Sequence, residues 1–168
     1  MRRLALLVAS LALAAFLAVP AALADSPHFL TSGFSIDRST GNLLCNFKEA
    51  GLGNTATTAD ITCTAATSEA TYQCFNNGGN HPKAGNKETV GGLVTNTQSF
   101  PVRNGQTTGT VEVGPVSPGA FSCPSGQTLY LVSVCYDDIS LSGAGATVGP
   151  FYTGNNELCE RNLMLPVQ

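Results

Sequence analysis

Apolar and polar residues alternate with a period of two in short runs along most of this chain, and the runs end in Gly, Pro, Asn or Asp. That is the pattern of strands joined by turns. Leu43 to Glu49 is the clearest case: Leu43, Cys45 and Phe47 alternate with Leu44, Asn46 and Lys48, which predicts a strand buried on one face. Phe29 to Ile36, Thr58 to Ala66, Thr71 to Phe75, Thr89 to Val94, Gln98 to Val102 and Thr107 to Val113 read as further strands. Arg103-Asn104-Gly105-Gln106 contains the Asn-Gly pair that favours a tight hairpin turn.

Thr128 to Leu141 carries the longest strand signal. Strict alternation puts Tyr130, Val132, Val134 and Tyr136 on one face and Leu129, Leu131, Cys135 and Ile139 on the other, so its early half should be covered on both faces. Thr147 to Thr153 predicts a last strand, and Asn156 to Leu165 fits either one helical turn or a short strand. Eight or nine strands with no heptads, repeats or low-complexity linker predict an all-β chain, a single-domain antiparallel β-sandwich (immunoglobulin-like or similar) over residues 25–168.

Residues 1–24 have a different texture. Met1-Arg2-Arg3, a Leu/Ala/Val/Phe-rich stretch, Pro20 and Ala22-Leu23-Ala24 form the basic, apolar and small-residue parts of a signal peptide, with cleavage expected near Ala24. Pro20 and the small-residue exit argue against a membrane anchor there. Removing these 24 of 168 residues leaves 144 and takes away Arg2 and Arg3, so six cations face 11 acids and the net charge becomes 6 − 11 = −5. The apolar fraction falls to about 36%, below the ordinary range. The expected product is secreted or bound at the cell surface. A polytopic membrane protein, a basic-patch nucleic-acid binder and a large multidomain enzyme do not fit these numbers.

Behind an export signal, the even set Cys45, Cys63, Cys74, Cys123, Cys135 and Cys159 predicts three disulfides. No C-x-x-C occurs, and two histidines, His28 and His81, are too few for an ordinary zinc site. Six cysteines allow 15 connectivities. One register argument narrows them. A hairpin turning near Asn54 would set Phe47 opposite Ile61 and Cys45 opposite Cys63, and sequential pairing then leaves Cys74–Cys123 and Cys135–Cys159.

Catalytic chemistry is thinly supplied. His28 sits where a mature chain would fray, and His81 precedes Pro82 in a polar loop; no nucleophile elbow or zinc-protease motif accompanies them. Gly51-Leu52-Gly53-Asn54-Thr55-Ala56 has dinucleotide-fingerprint spacing, but a strand rather than a helix should follow it, so it reads as a loop. Asp137 and Asp138 are adjacent and on a regular strand would face opposite ways. No calcium loop is present, and no cofactor or metal is expected. The remaining candidate is a ligand loop: Asn76 to Lys87 is the most Gly/Asn-rich window, and Asn76, Asn77, Asn80, His81 and Lys83 with the neighbouring rings of Tyr72 and Phe75 suit recognition of a ligand or glycan.

The blocks Asn42 to Asn54, Tyr72 to Lys87 and Phe121 to Leu129, with F-K-E-A-G-L-G-N and C-F-N-N-G-G-N as their specific parts, resemble a family of small exported bacterial proteins common in actinobacteria, to which no activity is attached. The resemblance covers most of the chain after residue 24. It implies export and a β-rich fold, and it places Cys74 and Cys123 in family-like blocks, which favours their pairing; it brings no functional residues. The expectation is a non-enzymatic, disulfide-stabilised binding protein whose partner is an extracellular protein or glycan. The alternatives are a protease inhibitor acting through Ser117 to Gln127 and a small hydrolase using carboxylates.

Overall fold

Eight antiparallel strands and no helix carry the described part of the chain, residues 26–76 and 86–167 of a computed structural model. They are β1 (His28–Ile36), β2 (Leu43–Ala50), β3 (Thr58–Asn76), β4 (Lys87–Pro101), β5 (Gln106–Val113), β6 (Gln127–Gly143), β7 (Ala146–Phe151) and β8 (Leu158–Pro166). One sheet has the order β1-β2-β5. The other runs β4-β3-β6, with β7 and β8 sharing the far edge of β6. Two sheets face each other across a common core, as the alternation predicted, and their strand order is that of an immunoglobulin-type sandwich.

The two sheets differ in length. β2 has 8 residues and β3 has 19, which at about 3.3 Å per residue is roughly 26 Å against 60 Å. The short sheet therefore covers one half of the long one. Cys45, Phe47, Val111 and Val113 meet Ile61, Cys63, Ala65, Ile139 and Leu141 there, all buried. At the other half the covering layer is the segment 114–126. It is held by Cys74–Cys123, by the Tyr72 hydroxyl donating to the Val116 carbonyl at 2.6 Å, and by Phe121 against the core.

Several expected runs merge. Thr58 to Ala66 and Thr71 to Phe75 are one strand, β3, because a bulge between Ala65 and Ser68 absorbs the break without ending the pairing. Thr89 to Val94 and Gln98 to Val102 likewise join in β4, and Asn156 to Leu165 resolves into strand β8. In β6 the buried positions are Leu131, Val134, Tyr136, Ile139, Leu141 and Gly143. A bulge at Val132 inserts a residue against β3, and the face that is buried changes again between Tyr136 and Ile139, so the strict two-face division of this strand fails. Asp138 takes a φ of 50°, so Asp137 and Asp138 do not simply alternate across a flat strand.

All six cysteines are paired: Cys45–Cys63, Cys74–Cys123 and Cys135–Cys159. The first pairing has a different geometry from the hairpin that suggested it. β2 and β3 lie in different sheets and share no register, so Cys45–Cys63 crosses the core, with a Cα–Cα distance of 6.4 Å. Gly51 and Gly53, with φ of 77° and 74°, turn the chain from one sheet to the other. Cys135–Cys159 is the true cross-strand bridge, between directly opposed residues of β6 and β8.

Candidate functional site

Charge in this acidic protein is not scattered evenly. The described residues include five cations, of which Arg38 pairs with Glu160 at 3.0 Å. The other four fall two by two into two surface hollows: Lys48 with Arg103, and Lys87 with Arg161. Among the described residues no carboxylate lines either hollow.

The Lys87–Arg161 hollow, about 370 Å³, is built by the pairing of four strands on the outward face of the long sheet. Gln73 on β3 stands opposite Lys87 on β4, and Ser133 on β6 stands opposite Arg161 on β8. The two cations are thus separated by two intervening strands, roughly 14 Å of sheet at about 4.8 Å per strand. A bulge makes the depression. Between the pairs Leu131–Leu165 and Ser133–Arg161, β6 contributes one residue and β8 three, and Asn162 takes a φ of 60°. The bulge sends Leu163 into the core and leaves Met164 53% exposed on the rim. Phe75 and Val132 complete an apolar floor, and Phe75 makes an edge-to-face contact with Tyr130 at 5.3 Å. Long cationic side chains above an apolar floor, with the Gln73 amide and Ser133 hydroxyl between them, can hold an anionic ligand that also has an apolar face.

The Lys48–Arg103 hollow, about 330 Å³, lies by the hairpin joining β4 to β5 and is lined by Gln106, Thr107, Thr108 and Pro101. It offers similar polar chemistry without an aromatic or thioether floor.

Of the residues in the expected ligand loop, Phe75 lines the Lys87–Arg161 hollow and Asn76 is exposed at the end of β3. Asn77, Asn80, His81 and Lys83 lie outside the described residues. Tyr72 does not belong to a ligand surface. It is 3% exposed on the inner face, and its hydroxyl is committed to Val116. Burial raises its pKa above that of an ordinary tyrosine. Lys87, at the end of the expected loop, lines the same hollow. Arg161 and Met164 were missed because the register of β8 on β6, which brings them there, cannot be read along the chain.

Other chemistry-bearing groups are accounted for. His28 is not frayed: it pairs with Ala50 at the start of β1, and its Nδ1 donates to the Ser26 carbonyl at 2.8 Å. Glu49 is fully buried between the sheets, with no hydrogen-bond partner for either carboxyl oxygen among the described residues. Desolvation raises its pKa above the ordinary carboxylate value, while the neighbouring His28 charge opposes that shift. Cys135, Glu157 and Cys159 cluster within 4.8 Å, but the two sulfurs are bonded to each other, which leaves one carboxylate and no metal-ligand set. The segment from Ser117 to Gln127 folds into two turns, with Phe121 N–H donating to Pro118 and Gln127 N–H to Pro124, rather than extending as a protease-binding strand. No described helix is long and apolar enough to cross a membrane. No family model, curated protein or solved structure matches the chain.

Proposed function

We propose that this is an exported, non-enzymatic binding protein that takes an anionic glycan in the Lys87–Arg161 hollow. The observation that carries the reading is the placement of two cations, free of acid partners among the described residues, over the apolar floor of one hollow in an otherwise acidic protein. A sugar ring has an apolar face for the exposed Met164, and its hydroxyls suit Ser133. Carboxylate or phosphate substituents suit Lys87 and Arg161. The Lys48–Arg103 hollow has the charge without this floor, so it ranks second.

Three disulfides support export, because such bridges persist in oxidising compartments. The hollow's lining supports binding rather than turnover: its described residues include no acid, imidazole or thiol. Titrating the mature protein with acidic and neutral envelope oligosaccharides of equal length tests the proposal. Binding should favour the acidic chain and weaken as salt rises. Equal affinity for both would remove the role given to the cations.

A further inference from the structure

β4 is an edge strand with the features of a strand meant to be paired. It runs for 15 residues, well beyond the usual five or six, and among the described strands its only sheet neighbour is β3. Among the described residues no backbone hydrogen bond reaches its outer side between Glu88 and Phe100. Soluble proteins protect such edges with lysine, proline or short length. Here Lys87 and Pro101 stand at the two ends, and Thr89 to Phe100 carries neither a charge nor a proline. Leu93 is 63% exposed, the most exposed large apolar side chain among the described residues.

The sequence of this edge says what pairs with it. Thr89-Val90-Gly91-Gly92-Leu93-Val94-Thr95 reads nearly the same in both directions about Gly92. A two-fold axis at Gly92, perpendicular to the sheet, sets Thr89 against Thr95 of a second copy, Val90 against Val94, and Gly91 against Leu93. Residues of like direction meet on each face: Val90 and Val94 stand opposite the inner positions Ala70 and Ala65 of β3, and Thr89 and Thr95 opposite the outward Thr71 and Thr64. The register also repairs the one mismatch in the palindrome, because Leu93 lies over Gly91, which has no side chain. An unrelated peptide could satisfy the backbone; a second copy paired about Gly92 also sets Thr against Thr, Val against Val and Leu93 over Gly91, the self-complementarity that an isologous contact uses.

We infer that β4 pairs antiparallel with β4 of a second copy about Gly92, joining the two long sheets into one. The inference is independent of the glycan reading, although it would put both Lys87–Arg161 hollows on the same face of the joined sheet and so permit bivalent attachment.

Sedimentation of the oxidised mature protein over a concentration series reads the association directly. A reversible dimer is expected, and Leu93→Lys should weaken it about tenfold or more while leaving the circular dichroism spectrum and Tm unchanged. Register is tested by cysteine pairing. Thr89→Cys mixed with Thr95→Cys should give a crosslinked dimer, and neither variant alone should. A protein that stays monomeric throughout the series, a dimer indifferent to Leu93→Lys, or equal crosslinking of Thr89→Cys with itself would each overturn the inference.

Discussion

The hydroxyl of Tyr136 donates a 2.7 Å hydrogen bond to the carbonyl oxygen of Gly41. It ties the turn between β1 and β2 to the buried centre of β6, and so fixes the short sheet's position over the long one. Burial pushes the Tyr136 pKa well above the usual tyrosine range, so the phenol stays a donor at any ordinary pH. Gly41 takes a φ of 78°, and a Cβ there would lie 2.6 Å from Leu131 Cδ2.

Tyr136→Phe should therefore cost about 1–3 kcal/mol, because it leaves a buried carbonyl unpaired while keeping the ring. Thermal unfolding should show a fall of several degrees in Tm. Gly41→Ala should destabilise too, through both the backbone and the contact with Leu131. An unchanged Tm in Tyr136→Phe would mean that the bond does not hold the two layers.

Glu49 predicts a pH dependence of definite sign. Its folded pKa is raised above the ordinary glutamate value of 4.5, chiefly by desolvation, so the folded state holds this proton more tightly than the unfolded chain does. Its effect on stability is absent below the ordinary carboxylate range. Stability is lost as pH rises through 4.5 towards the folded pKa, and the loss is complete above it. Glu49→Gln should remove that component, which denaturant unfolding at a series of pH values would resolve. Exposed Asp37 works oppositely: the Ser39 side-chain and backbone hydrogen bonds lower its pKa, favouring the fold above the usual aspartate range and losing that effect as pH falls. A Glu49→Gln profile parallel to the wild type would contradict the assignment.

Cys74–Cys123 is the covalent tie between the segment 114–126 and the half of the long sheet that the short sheet leaves bare. Its sequence separation of 49 residues corresponds to about 4 kcal/mol in the chain-entropy account. Replacing both cysteines with serine should lower stability by up to that amount and speed hydrogen exchange at Tyr72 and Val134 more than at Cys45 and Val111. Uniform loosening of both halves would show that the segment is not a separate covering layer.

How far the sequence speaks depends on how local each feature is. Leu43 to Ala50 was legible because one face is buried along its whole length, so alternation and structure coincide. The continuity of β3 was not, because a bulge at Ala66-Thr67 interrupts the pattern without a turn residue. Tyr136 and Leu131 were assigned to opposite faces of β6 by strict counting; the bulge at Val132 between them brings both to the core. The Cys45–Cys63 pairing came from the register of a β2–β3 hairpin that does not form, since the bridge joins two sheets, and the other two pairings followed from sequential order. For the candidate site, Phe75 came from the polar loop beside it. Lys87 and Arg161 became neighbours only through non-local strand pairing, which composition does not encode.

Calorimetric titration of an acidic envelope oligosaccharide into wild-type, Lys87→Gln and Arg161→Gln proteins tests the central claim most directly. The account predicts that each substitution weakens the Kd about tenfold, and that each flattens its salt dependence, with Tm unchanged. Wild-type affinity in the double substitution Lys87→Gln/Arg161→Gln would contradict it.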